Sequence, residues 1–73
     1  MIKRDFHGYK LEEALDAVEG IIGQCRLNNK ITKAEFITGH GVIQKEVLNL
    51  CEAYGLDAQV SWANSGVVTV YIE

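Results

Sequence analysis

Apolar and polar residues follow two different periods along the chain, and together they predict six elements. Near the N-terminus the alternation has a period of two, as in a strand, with Ile2, Arg4 and Phe6 on one side. From Leu11 onward the apolar positions recur every three to four residues, which is typical of an amphipathic helix. The predicted elements are, in order, a strand over 2–7, a helix from 11 to the Asn28-Asn29 pair, a strand over 34–38, a helix over 42–54, and strands over 56–62 and 67–72.

Glycine and asparagine positions indicate how these elements end. Gly55 is predicted to be the left-handed C-cap of the second helix, and Asn64-Ser65-Gly66 has the composition of a hairpin turn. Gly20 and Gly23 lie inside the first helix, where each costs about 1 kcal/mol relative to alanine. Close packing of that helix against the sheet would account for them.

The order βαβαββ predicts the topology. Right-handed crossovers that advance in the same direction put both helices on one face of the sheet. The last strand, over 67–72, is the most apolar and suits a central position, antiparallel beside the second strand. The prediction is therefore an α/β (α+β) two-layer sandwich with a four-stranded mixed sheet of order 1-2-4-3. Residues 1–73 are expected to form a single domain.

Charge and composition narrow the function classes. The net charge of −3 argues against a generic nucleic-acid binder, but all seven Lys and Arg residues lie in the first 45 positions, and the last 28 hold four acids and no base. A polyanion could meet a neutral-to-positive face, with weak and salt-sensitive binding. No apolar run nears the ~18 residues of a membrane span, and no signal segment is evident, which predicts a cytoplasmic protein without a membrane partner. Cys25 and Cys51 are expected to be core residues.

Two short polar segments, each at the end of a predicted strand, contain the candidate site: 4–8 and 38–41. Open α/β sheets bind ligands at the carboxyl ends of parallel strands. Because the two strands are predicted to be parallel neighbours, two histidines, one aspartate and three glycines should meet at one edge of the sheet.

Asp5 and His7 are the candidate catalytic residues. Two apart on a strand, their side chains would leave one face about 6–7 Å apart. Asp5 could act as a base, orient the imidazole or hold a divalent ion, and His7 could donate a proton to a leaving oxygen or contact a phosphate. In the structural alternative, Asp5 pairs with Lys3 or Arg4, and His7 caps a backbone group of a loop.

The second segment suits phosphate binding. Gly39 and Gly41 let the backbone approach a ligand closely, as does Gly8 in the first segment. Amides at a helix N-terminus favour an anion. His40, when protonated, would add positive charge, and Lys45 is either a peripheral phosphate contact or a solvated charge. The alternative is an ordinary strand-to-helix turn.

No metal site is assigned from the sequence. Two histidines and one aspartate are too few ligands for structural zinc, and a two-metal centre needs several clustered carboxylates. A single Mg²⁺ or Mn²⁺ at Asp5 and metal-free acid–base chemistry both stay open, the latter being easier on RNA. Among the aromatic residues, Trp62 and Tyr71 are predicted to pack on the sheet, and Tyr9 is the better candidate for stacking on a base.

Three motifs resemble those of the small MutS-related (Smr) domain family: Asp5-Phe6-His7-Gly8, Thr38-Gly39-His40-Gly41 and Gly66-Val67-Val68-Thr69-Val70. The family opens with Asp-Leu-His-Gly, turns at His/Thr-Gly-x-Gly and ends on a Gly-Val-x-x-Val strand, so the resemblance covers nearly the whole chain in order. It implies a sheet-and-two-helix sandwich, nucleic-acid binding and, in several members, nicking or endonucleolytic cleavage of DNA or RNA.

The resemblance therefore implies a nicking endonuclease acting on DNA or RNA. The alternatives are a non-catalytic module that binds structured or branched nucleic acid and a protein-interaction domain that uses an exposed strand edge. The chain departs from the family pattern after the second turn, which passes directly to Val42 without the usual further glycine-containing pair, and at three positions. Gln44 stands where an Arg is common, His40 where a Lys or Arg is common, and Lys10 where a Thr usually caps the helix. As a result, the chain has fewer positively charged residues for binding phosphate than the family pattern has.

Overall fold

The computed structural model describes residues 1–73 as two helices packed on a four-stranded sheet. Its elements are β1 (Ile2–Asp5), α1 (Leu11–Leu27), β2 (Thr32–Ile37), α2 (Val42–Ala53), β3 (Asp57–Val60) and β4 (Val67–Ile72). The strand order is β1-β2-β4-β3, in which β1 is parallel to β2, and β4 is antiparallel to β2 and to β3. The predicted two-layer sandwich and its strand order are confirmed.

A single hydrophobic core lies between the helices and one face of the sheet. The alternation of β4 shows the arrangement: Val68, Val70 and Ile72 are buried, whereas Thr69 and Tyr71 face the other side and are partly exposed. The helices contribute Ala14, Val18, Ile22, Cys25, Val47 and Cys51 to the same cluster. Both cysteines are buried and free, as predicted. The opposite face of the sheet is not covered by either helix, and we call it the open face.

The helix ends follow from their capping residues. Lys10 is the N-cap of α1, and because an ammonium group cannot accept a hydrogen bond, the cap is made from the other direction: the Lys10 N–H donates to Glu13 Oε1 at 2.9 Å. Asn28 follows the last residue of α1, and Asn29 adopts a φ of 56°. Gly55, with a φ of 73°, ends α2 in the left-handed conformation that the sequence predicts.

The packing role expected for the glycines of α1 is wrong. Gly20 and Gly23 are both exposed, and a Cβ built on either would meet no atom within 4 Å. The helix therefore approaches the sheet through its larger apolar side chains, and the two glycines lie away from that contact.

Arg26 ties together the end of the molecule farthest from the two glycine turns. Its guanidinium donates to the carbonyl oxygens of Tyr54, at 2.9 Å, and Glu73, at 3.1 Å, and it lies over the Tyr54 ring. These contacts join the last turns of both helices to the end of β4. Neither helix combines the length and the apolar character needed to cross a membrane.

Candidate nucleic-acid interface

The two candidate segments lie side by side because β1 and β2 are parallel neighbours that end together. Asp5 is opposite Ile37 in the register, and one residue later the Phe6 N–H still donates to the Ile37 carbonyl oxygen at 2.9 Å. Phe6 is buried and stacks on Phe36, with ring centroids 5.5 Å apart. This buried pair holds the starts of both segments at one edge of the sheet.

The first segment turns earlier than predicted. The strand ends at Asp5 rather than His7, because the Asp5 carboxylate accepts a hydrogen bond from the His7 backbone N–H at 2.8 Å. Such an Asx turn competes with the strand ladder, and Gly8 continues it with a φ of 81°. Asp5 and His7 are therefore neighbours across a turn, and the predicted alternation of two strand residues on one face is wrong. Both side chains are exposed.

The second segment is fastened to the start of β4. The N–H groups of Thr38 and Gly39 both donate to the Gly66 carbonyl oxygen, at 2.9 and 3.0 Å. The Thr38 hydroxyl donates to the Gly39 carbonyl oxygen at 3.0 Å. Gly39 has a φ of 73°, in the left-handed region, where glycine avoids the steric cost that other residues incur. The second motif thus forms a tight turn that β4 supports from the side opposite β1.

The loop between β3 and β4 supplies residues that the sequence did not connect to the site. Ser65 Oγ lies 2.8 Å from His40 Nε2, and its carbonyl oxygen accepts a hydrogen bond from the Gln44 side-chain amide at 2.7 Å. Gly66 is buried against Gly39 and His40. The Asn64-Ser65-Gly66 turn was evident in the sequence, but its contact with the second segment depends on β4 lying beside β2.

The N-terminus of α2 is open to solvent. Gly41 is its N-cap, no side chain caps the first amides, and the first turn contains no acidic residue. The first backbone N–H groups of a helix have no partner within the helix and carry partial positive charge. Lys45 is exposed on the next turn, and His40 is exposed just before it. The predicted anion-binding residues Gly39, His40, Gly41 and Lys45 are therefore close in the fold, with Gly8 on the adjacent segment.

The donor set does not form a multi-ligand metal centre. No group of three or more His, Cys, Asp or Glu side chains comes together anywhere in the chain. Asp5 is the one carboxylate of the two segments, and its Oδ1 already accepts the His7 amide. On the open face, Lys3 Nζ and Glu35 Oε1 form an ion pair at 3.9 Å, which does not include Asp5.

The three aromatic residues with predicted roles, Tyr9, Trp62 and Tyr71, lie in different environments, and only Trp62 departs from its prediction. Trp62, predicted to pack on the sheet, is 99% exposed in the loop after β3. Tyr71 lies on the open face and is 42% exposed. Tyr9, the expected stacking candidate, packs on Phe6 with ring centroids 5.2 Å apart. The prediction for Trp62 is wrong because strand β3 ends at Val60, two residues before the ring could join the sheet.

The fold and the paired turns together define a class: small two-layer α/β domains whose candidate ligand edge lies at the carboxyl ends of parallel strands. The sequence model of the Smr domain family matches residues 4–73, nearly the whole chain, and the chain belongs to this family. Smr domains are associated with nucleic-acid binding and with nicking nuclease activity. No curated protein and no solved structure gave a significant match.

Proposed function

We propose that this Smr domain is a nicking endonuclease that cleaves a phosphodiester bond of nucleic acid at the edge formed by β1 and β2. The observation that carries the proposal is the 2.9 Å hydrogen bond from the Phe6 N–H to the Ile37 carbonyl oxygen. It joins the ends of the two strands, so Asp5 and His7 lie at the same edge of the sheet as the glycine turn before α2. Family membership supplies the chemical class of that ligand.

The phosphate is bound by the second segment. Gly39 and Gly41 have no side chain to obstruct an approaching phosphoryl oxygen, and the first amides of α2 donate to it. Lys45 adds positive charge at the rim, His40 adds a hydrogen-bonding imidazole, and Gly8 leaves the first segment equally open. The hydrogen bonds to Gly66 preorganise this cradle, because the turn is already fixed before the ligand binds.

Asp5 and His7 carry out the proton transfers. On RNA, the Asp5 carboxylate removes the proton of a 2′-hydroxyl, whose oxygen attacks phosphorus. The bond from phosphorus to the 5′-oxygen breaks, and protonated His7 donates a proton to that leaving oxygen. A cyclic phosphate and a 5′-hydroxyl result. On DNA the same residues would act on water as the nucleophile. The Asx turn leaves Asp5 Oδ2 free for this role, since Oδ1 accepts the His7 amide.

Cleavage is best tested with supercoiled plasmid and with structured RNA, each with and without Mg²⁺ or Mn²⁺. Asp5→Asn is the informative variant, because an asparagine oxygen can still accept the His7 amide while the negative charge is lost. We expect the nicking rate to fall 10²- to 10⁴-fold in Asp5→Asn and in His7→Ala, the usual contribution of a positioned acid or base. Asp16→Asn, which removes an exposed carboxylate from α1, is the matched control and should cut as wild type does.

The proposal is wrong if neither substrate is cut, or if the Asp5→Asn/His7→Ala double variant cuts as fast as wild type. Comparing the nicking rates with and without Mg²⁺ or Mn²⁺ distinguishes two roles for Asp5. Activity that depends on Mg²⁺ or Mn²⁺ would make Asp5 a single ion ligand, whereas metal-independent cutting of RNA alone would select the acid–base route.

A non-catalytic binding module is the second candidate, and one observation favours it. Asp5 Oδ1 already accepts the His7 N–H and so holds the first segment in its turn. The residue therefore has a structural role that does not require catalysis. In that case nucleic acid binds, no product forms, and Asp5→Asn leaves the Kd unchanged. Gly39→Ala, which strains a φ of 73°, should weaken binding under either candidate.

A further inference from the structure

The open face of the sheet extends the candidate edge toward Trp62. In the register, Asp5 lies opposite Ile37, Ile37 lies opposite Val67, and the Ser61 N–H donates to the Val67 carbonyl oxygen at 2.8 Å. This row crosses three strand spacings, roughly 14 Å, from Asp5 to the residue that precedes Trp62. The loop between β3 and β4 that holds Trp62 also holds Ser65, which contacts His40 directly. The exposed ring therefore lies in the same loop as a residue that contacts the candidate phosphate site.

The open face offers a second ring and a shallow trough. Trp62 and Tyr71 line the same depression, of about 290 Å³, which Gln59 and Thr69 also line. Lys33 lies opposite Tyr71 in the register and also lines this trough. The face as a whole has one more acidic than basic residue: Lys3 and Lys33 stand against Asp5, Glu35 and Asp57. Attraction of a phosphate backbone is therefore weak here, and ring stacking must supply most of any affinity.

We propose that the open face binds an unpaired stretch of nucleic acid, with one base stacked on Trp62 and a further base near Tyr71. This inference rests on the proposed function for its location, and it specifies the substrate class: the nucleic acid must offer unpaired bases next to the bound phosphate. Flat aromatic rings stack on any base, and a sheet face with exposed aromatics is a common platform for single strands. An intact duplex keeps its bases stacked inside and cannot use the ring.

Trp62 is the only tryptophan in the chain, so its fluorescence reports the contact directly. Titration with a thymidine homopolymer should quench the emission in a saturable manner, and a duplex hairpin of equal length should quench it much less. Anisotropy of a labelled homopolymer gives the Kd of variants that lack the ring. We expect Trp62→Ala to weaken binding roughly 5- to 150-fold, the loss of one stacked base (about 1–3 kcal/mol). Trp62→Phe should recover most of the affinity.

Two controls separate stacking from other effects. Leu27→Ala removes a side chain that is 81% exposed at the end of α1, and it should bind the homopolymer as wild type does. Because the Trp62 ring is 99% exposed, neither of its substitutions should change the thermal unfolding midpoint. Lys33→Ala should lower the salt dependence of binding by about one ion, and Lys30→Ala, which lines a different depression with Arg4 and Gly20, should not.

The outcomes distinguish this inference from the proposed function. If the homopolymer binds without quenching and Trp62→Ala binds as tightly as wild type, the stacking site is wrong, whatever the nicking assay shows. If stacking is observed but Asp5→Asn/His7→Ala cuts normally, the proposed function is wrong and the platform stands. A blue shift of the emission that grows with protein concentration, without nucleic acid, would assign the ring to contact with a second copy and overturn the inference.

Discussion

Asp5 shows how one residue can serve both the fold and a candidate site. Its Oδ1 accepts the His7 amide and ends β1, while Oδ2 stays available to a ligand. A carboxylate is well suited to both tasks because it accepts from several directions and carries charge. The asparagine substitution separates them, since it preserves the geometry of the turn and removes the charge.

Cys51 leads to a prediction about alkaline pH. The thiol is fully buried, and burial raises its pKa to about 11 from the ordinary 9.0. Above pH 9 the unfolded chain loses this proton while the folded chain keeps it, so the folded state binds more protons and the free energy of unfolding falls as pH rises. The contribution is intact below pH 9. Between pH 9 and 11 the loss approaches about 1.4 kcal/mol per pH unit.

Urea unfolding at pH 8, 9 and 10 under reducing conditions tests this effect. The Tyr54 hydroxyl, whose pKa is raised chiefly by the charge of Glu19 and further by burial, adds to the same alkaline trend. The measured quantity is therefore the difference between wild type and Cys51→Ala, which should grow smaller as pH rises. Cys25→Ala controls for loss of a buried sulfur. A constant difference between wild type and Cys51→Ala across this range would contradict the prediction.

At the scale of elements, α1 is held by packing more than by its own helix propensity. It contains two glycines, begins at a lysine that cannot cap it with its side chain, and yet extends over 17 residues. The buried stripe of Ala14, Val18, Ile22 and Cys25 explains this, because an apolar face against the sheet outweighs local preferences.

Two glycine-to-alanine substitutions should have opposite effects. Gly20→Ala should stabilise the protein by about 0.4–1 kcal/mol, because its site is helical and a Cβ there meets no atom within 4 Å. Gly55→Ala has equally open space but a φ of 73°, and should destabilise by about 1–2 kcal/mol. Chemical denaturation of both variants measures the contrast. Equal effects would mean that local space, and not backbone conformation, decides the cost.

At the scale of the whole molecule, the uneven charge along the chain is spread over both layers. Lys45 lies on α2 near the candidate edge, Lys3 and Lys33 lie on the open face, and Arg26 is committed to the far end. The four acids of the last 28 residues offset these charges. No broad positive surface forms around the candidate site.

Binding of single-stranded nucleic acid should therefore depend on salt through only a few positive charges. With two or three lysines in reach of phosphates, log K against log salt should have a slope of about −1.5 to −2. Anisotropy titrations with the thymidine homopolymer over a range of NaCl concentrations measure it. A slope steeper than about −4 would show that more charge takes part than these residues provide.

Much of the candidate site could be predicted from sequence, and what could not be predicted has definite causes. The adjacency of the two segments was predictable, because neighbouring parallel strands end at one edge. The early turn at Asp5 was not, because Asp5-Phe6-His7 continues a strand pattern and only the hydrogen bond to the His7 amide ends it. The contact of Ser65 with His40 joins residues 25 apart, and no local pattern records it.

The sequence by itself determined the elements, the two-layer sandwich and the strand order, because hydrophobic periodicity and the chirality of crossovers leave few other solutions. Tertiary structure alone decided which side chains are left for ligands. Trp62 is exposed because β3 ends at Val60, and His40 faces the β3–β4 loop because β4 inserts beside β2. Hydrophobic periodicity shows which face of a helix or strand a residue occupies. Its solvent exposure and its hydrogen-bond partners depend on where the elements end and on which elements pack together.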